Sequence, residues 1–213
     1  MPSVEQAQSW YLDDDPVHDF DHVMRVYRIA EKLALAEGAD LEIIRAAALL
    51  HDSVGSAPGN PGEARAEHHI LSAIFARQVL TEEGWAEERI QAVEHCIRAH
   101  RFRNKGEKPQ TIEAQVLFDA DKLDVLGAIG AARTIAYAAL DGQPSYAEPS
   151  QQFLETGVKQ PGEPHSSYHE YLFKLRRVKE LLFTHTGKQI AEQRDAFLRA
   201  FYEQLQAECH GER

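Results

Sequence analysis

Two side chains that bind metal ions well stand side by side at His51-Asp52, at the end of the apolar run Ile43-Ile44-Arg45-Ala46-Ala47-Ala48-Leu49-Leu50. Neighbours on a helix point about 100° apart. Both can still meet one ion where the last residue leaves helical geometry. The same dipeptide serves equally as a polar cap on a core helix. His22, in Asp21-His22-Val23-Met24-Arg25-Val26, adds a second imidazole. Alone on a helix, such a histidine is as readily a core or surface residue as a ligand. Asp119, Asp121 and Asp124 fall at i, i+2 and i+5 of one helical stretch between Val116-Leu117 and Val125-Leu126. A solvated stripe is one reading of these carboxylates, but apolar flanks count against it, because a buried charge without a partner is costly. Asp119 and Asp121 point about 200° apart, whereas Asp121 and Asp124 share a face. His22, His51, Asp52 and Asp121 together make a mixed N/O donor set. Such sets suit Mn²⁺, Fe²⁺, Co²⁺, Ni²⁺ or Zn²⁺. Four protein ligands on an octahedral ion leave room for water and substrate.

The elements that must position these residues read as helices. Asp15-Pro16 marks a helix start, a capping residue followed by proline at the first helical position. Phe20, Val23, Met24, Tyr27, Leu33 and Ala34 then recur at helical spacing up to Gly38. Asp40 caps a second helix that runs to His51-Asp52, and a Gly/Pro-rich segment stops it. Further helices are expected over about Ala64–Glu83, Glu87–Ala99 and Ile112–Ala139, then Ser166–His185 and Gly187–Glu208. Between Leu140 and His165 the periodicity fails, with four prolines and three glycines. A structureless stretch of that length is usually functional or disordered, and a lid over the substrate is one role for it. No segment has the period-2 pattern of a strand, and no internal repeat is visible. The expectation is an all-α bundle of about seven helices with one long irregular loop over 140–165. It forms a single domain over 1–213, with a core at 16–139 and a C-terminal helical part at 166–208.

The chain has 213 residues, 43% hydrophobic and 27% charged, with a net charge of −11. That composition fits an ordinary folded domain. The negative charge argues against nonspecific binding to nucleic acid or an anionic membrane. An anionic substrate would need metal ions and a local basic pocket. Two cysteines, Cys96 and Cys209, offer neither a disulfide framework nor a thiolate metal site. The polar N-terminus is no signal peptide and no apolar run has the length of a membrane span, so a cytoplasmic location is expected.

The ordered series His22, His51-Asp52 and Asp121, with His22 in a His-x-x-Arg-Val context, resembles the HD-domain superfamily of metal-dependent phosphohydrolases. Asp119–Asp124, Gly127–Thr134, Tyr168–Leu175 and Thr186–Ala191 are similar to one small single-domain bacterial and archaeal branch. The resemblance covers about residues 16–205. It implies an all-α bundle whose metal is held by His22, His51, Asp52 and Asp121. Some HD branches hold a second ion through two extra histidines, and His68 and His100 match that placement loosely. His69 and His95 compete for it, and His18 reads as a helix-start or supporting residue. One or two divalent ions are therefore expected, with Mg²⁺ an alternative to the transition metals.

The cations Arg25, Lys122, Arg133, Lys174 and Arg177, with Arg101 and Arg103 just past His100, would suit a phosphate or triphosphate if they converged. Each by itself reads as a solvated surface charge. Lys174 and Arg177 are expected on one face of the sixth helix. Asp124 or Asp119 are candidates to orient or deprotonate the attacking water. The expected function is metal-dependent hydrolysis of a phosphorylated small molecule, a nucleotide or related phosphoester. Within the branch, the resemblance points to a nucleoside-triphosphate pyrophosphohydrolase. The alternatives are an HD-type diiron oxygenase and a nucleotide-binding module without turnover. A homodimer is expected if the Ser166–Glu208 helices pair two subunits.

Overall fold

The computed structural model describes residues 1–11, 20–54, 62–101 and 106–212. The expected helix start at Asp15-Pro16, His18, the Gly/Pro-rich segment at 55–61 and Arg103 lie outside the described residues. Within them the only regular secondary structure is helical, without a strand: ten α-helices and one 3-10 helix. The helices are α1 (Val4–Gln8), α2 (Phe20–Glu37), α3 (Leu41–Leu50), α4 (Gly62–Glu82), α5 (Glu87–Ala99), α6 (Ile112–Leu123), α7 (Gly127–Leu140), α8 (Gln151–Thr156), α9 (Ser167–Phe173) and α10 (His185–Cys209). The 3-10 helix spans Leu175–Leu181. Among the described residues no single helix is long and apolar enough to cross a membrane.

The chain divides into two compact units, Met1–Asp121 with Leu182–Gly187, and Lys122–Leu181 with Lys188–Arg213. The first is built around α3, which packs against α1, α2, α4 and α5. Seven of its ten residues are buried, which accounts for the apolar run in the sequence, broken only by the partly exposed Arg45. Asp40 caps α3 as expected, accepting from the backbone N–H of Glu42 and Ile43 at 2.9 and 3.2 Å. Arg89 holds the same carboxylate from α5, and the guanidinium keeps Asp40 below its ordinary carboxylate range. α5 occupies the expected residues, and Gly38 and Gly84 follow α2 and α4 with positive φ.

The second unit differs from the expected helices in two places. The long helix expected over Ile112–Ala139 ends at Leu123, and α7 starts at Gly127. Leu126 is extended and Gly127 has φ +70°, a conformation that favours glycine. A Cβ on Gly130 would stand 2.2 Å from the Val125 carbonyl oxygen, so the chain closes this turn tightly. The Arg194 guanidinium caps the freed Leu123 carbonyl. The helix expected over Ser166–His185 is likewise broken. Lys174 leaves helical dihedrals at φ −120°, and the 3-10 helix follows. Lys174 and Arg177 therefore do not share a face of one continuous helix.

The stretch 140–165 is largely irregular, as expected. It holds the short helix α8, whose ends are both capped. The Ser150 hydroxyl accepts from Phe153 N–H, and Gly157 closes the other end at φ +73°. Glu163 ties the remainder together. It accepts from Ser150 N and Oγ at 2.7 Å each and from Gln160 N at 2.6 Å, and it meets His169 Nε2 at 3.1 Å. Outside α8 the stretch is irregular, as its proline and glycine density predicts, and local side-chain caps and the Glu163 carboxylate tie it together.

Candidate metal centre

His51 and His100 are placed by the same device. Each is the residue just past the end of a helix, the apolar α3 or the amphipathic α5, and keeps right-handed helical dihedrals. Each turns its ring Nδ1 to the carbonyl three residues back, Ala48 O at 2.8 Å and Ile97 O at 2.6 Å. A carbonyl only accepts, so Nδ1 carries the proton in both rings. The bond satisfies one of the open carbonyls of a helix end. It also leaves Nε2 as a lone pair aimed inward, the arrangement a metal-bound histidine uses. His51 thus needs no departure from helical geometry to reach its neighbour.

Asp52 lies between two pairs of imidazoles. Its Oδ2 is 3.6 Å from His51 Nε2 and 3.8 Å from His22 Nε2. Its Oδ1 is 3.1 Å from His68 Nε2 and 3.4 Å from His100 Nε2. His22 and His51 approach each other at 3.4 Å and His68 and His100 at 3.3 Å, nitrogen to nitrogen. Asp121 joins the first pair, with Oδ1 3.6 Å from His22 Nε2. His22, His51, Asp52, His68 and His100 are all buried.

Two groups could therefore each hold one ion: His22–His51–Asp52, with Asp121 beside it, and Asp52–His68–His100. Ligand atoms about 2.1 Å from one ion lie about 3.0–3.4 Å apart at right to tetrahedral angles. Most of the observed separations match that spacing. Burial pushes His51 down to about 4, with the neighbouring imidazoles adding to it, so the ring is neutral near pH 7. A neutral imidazole and an ionised carboxylate are the forms that ligate.

His69 and His95 stay out of both groups. His95 is engaged with Glu107 Oε1 at 2.5 Å and Gln110 N at 3.1 Å. Arg25 lies partly buried on α2, three residues beyond His22. Asp119 faces the segment before α10. Its carboxylate accepts from Phe183 N at 2.9 Å, Thr184 N at 2.7 Å and Thr184 Oγ1 at 2.6 Å. The opposite directions expected for Asp119 and Asp121 have a use: one side anchors α6, the other faces His22.

The remaining candidates belong to the second unit. α6 ends before Asp124, which forms a largely buried ion pair with Arg133. Lys122 is the residue after Asp121 on α6. Lys174 pairs with Glu170 at 2.7 Å, and Arg177 lines a small cavity with Phe153, Gly157, Phe173 and Arg176.

Two supporting residues have no distinctive signal in the sequence. Tyr11 donates its hydroxyl to Leu49 O at 2.9 Å, holding the end of α3 two residues before His51. Burial, reinforced by the Asp52 charge, keeps its phenol protonated. Ser72, one turn beyond His68 on α4, receives Val54 N–H at 3.1 Å and anchors the chain just after Asp52.

An all-helical domain that gathers four imidazoles around one aspartate belongs to the histidine–aspartate class of metal-binding helical proteins. The chain belongs to the HD domain family, which matches residues 19–126. HD domains bind divalent metals, and the two His/Asp groups are placed to hold them. The chain is 30% identical to the Bacillus subtilis protein YpgQ over 218 residues, covering 99% of this chain and 96% of that one. It superposes on the crystal structure of YpgQ in complex with ADP with a TM-score of 0.72 and 29% identity, covering 97% of each chain. An HD-superfamily hydrolase from Bacillus thuringiensis superposes with a TM-score of 0.69 and 31% identity, covering 97% of this chain and 96% of that one.

Proposed function

We propose that this protein is a metal-dependent phosphohydrolase acting on a nucleotide, and specifically that it cleaves a nucleoside triphosphate to the monophosphate and pyrophosphate. The observation that carries the reading is Asp52, which offers one carboxylate oxygen to each of two histidine pairs. His22, His51, Asp52 and Asp121 would hold one divalent ion, and Asp52, His68 and His100 a second. An ion bound there lowers the pKa of water and offsets phosphoryl charge.

The protein's own groups prepare that chemistry. His51 and His100 keep Nε2 lone pairs inward because their Nδ1 protons are committed to backbone carbonyls. Asp119 fixes the helix that carries Asp121 through its bonds to Phe183 and Thr184. Arg25, Lys122, Arg133, Lys174 and Arg177 remain the cations proposed for phosphate. Arg133 pairs with Asp124 and Lys174 with Glu170. The nucleotide class draws on the likeness to YpgQ, which binds ADP. The bond cleaved draws on the resemblance of Gly127–Thr134 and Tyr168–Leu175 to the pyrophosphohydrolase branch.

A hydrolysis screen tests this reading. Metal-stripped protein resupplied with Mn²⁺, Mg²⁺, Co²⁺ or Fe²⁺ is offered nucleoside mono-, di- and triphosphates, and products are separated by chromatography. Monophosphate plus pyrophosphate from a triphosphate is the expected result, lost in His51→Ala. Nucleoside from a monophosphate would keep the phosphohydrolase and move the bond. No cleavage by a protein that retains two irons and consumes oxygen would overturn the reading in favour of an oxygenase.

A further inference from the structure

His68 differs from the other histidines of its group. His51 and His100 turn Nδ1 to a carbonyl oxygen, whereas His68 Nδ1 meets Arg101 Nη1 at 2.9 Å. A guanidinium has no acceptor, so His68 Nδ1 must accept and the proton of the neutral ring sits on Nε2. That proton points at the His100 Nε2 lone pair, 3.3 Å away, with Asp52 Oδ1 3.1 Å from the same nitrogen. One proton thus occupies the place between the three atoms that would ligate the second ion. For His68 to bind through Nε2 the proton must move to Nδ1, where it would face another donor. Arg101 and a His68-bound ion are therefore incompatible in this arrangement.

We propose that Arg101 sets whether the centre holds one ion or two, by holding His68 in the tautomer that cannot ligate. Resting on the two-ion reading above, the proposal makes Arg101 a positioning residue that acts through His68. Second-ion binding requires the guanidinium to leave His68 Nδ1, at the cost of a charge-assisted hydrogen bond. A side chain at 101 able to accept from Nδ1–H would reverse the preference.

Arg101→Gln supplies such an acceptor, while Arg101→Lys keeps a donor-only cation. Metal-stripped wild type and both variants are titrated with Mn²⁺ by calorimetry. Bound metal is counted after desalting, and the His68 tautomer of the metal-free proteins is read from imidazole ¹⁵N shifts, assigned with His68→Gln. The second ion should bind about tenfold or more tightly in Arg101→Gln. Wild type and Arg101→Lys should agree, and the His68 proton should move from Nε2 to Nδ1 only in Arg101→Gln. Identical two-ion isotherms and an unchanged tautomer would overturn the role of Arg101 and leave the metal centre standing. Absence of any bound ion in all three proteins would overturn the metal centre and this proposal with it.

Discussion

Gly187 has no room for a side chain. A Cβ there would lie 2.5 Å from Thr184 Oγ1 and 2.6 Å from Asp119 Oδ2, the atoms that join the start of α10 to α6. Gly187→Ala should therefore destabilise the protein by about 1–3 kcal/mol, read as a shift in the urea midpoint, and should weaken metal binding because Asp121 is two residues from Asp119. An unchanged midpoint would show that the contact yields. At this scale the sequence was informative about chemistry. His22, His51, Asp52 and Asp121 stand out by type and by their apolar surroundings, and they converge. The sharing of Asp52 between two histidine pairs was not readable, because His68 and His100 come from two other helices and nothing in linear spacing brings them together. The use of Asp119 as an anchor was hidden for the same reason, since its donors lie 64 and 65 residues away.

Helix boundaries set by local chemistry were legible, as at Asp40, Gly38, Gly84 and both ends of α5. Boundaries set by tertiary contact were not. The break between α6 and α7 depends on Arg194 reaching the Leu123 carbonyl, and periodicity alone runs straight through it. The segment between α7 and α9 carries a testable dependence on pH. Backbone and hydroxyl bonds from Ser150, with Gln160 and His169, outweigh burial and lower Glu163 from 4.5 to about 2. A depressed carboxylate pKa stabilises the fold above the unfolded value and ceases to do so as pH falls through the folded one. The contribution of Glu163 should thus be complete above about pH 4.5 and lost toward pH 2. Thermal melts across that range should separate wild type from Glu163→Gln at high pH and converge at low pH. Parallel curves would show that Glu163 is not the group responsible.

For the whole molecule, the net charge of −11 opposes the anionic substrate proposed for it. Raising ionic strength from 0.01 to 0.15 M shortens the screening length from about 30 to about 8 Å. That should raise kcat/KM for a triphosphate at constant free metal, because long-range repulsion weakens before contacts at the site do. A fall in kcat/KM would mean that local cations dominate the approach. Helical periodicity and the His and Asp residue types identified an all-helical chain bearing metal-ligand chemistry, whereas charge and composition identified only an ordinary acidic folded domain. The substrate-side cations were legible only as residue types: Arg133 is engaged with Asp124 and Lys174 with Glu170, pairings that follow from packing.

Asp52, placed between two histidine pairs, would join them into one metal centre, and bound metal is the direct measure of it. Wild-type protein and Asp52→Asn are loaded with Mn²⁺, desalted, and measured for bound metal alongside their circular dichroism. Up to two ions in the wild type and none in a folded Asp52→Asn is the expected result. A folded Asp52→Asn that retains the full wild-type metal content would contradict it.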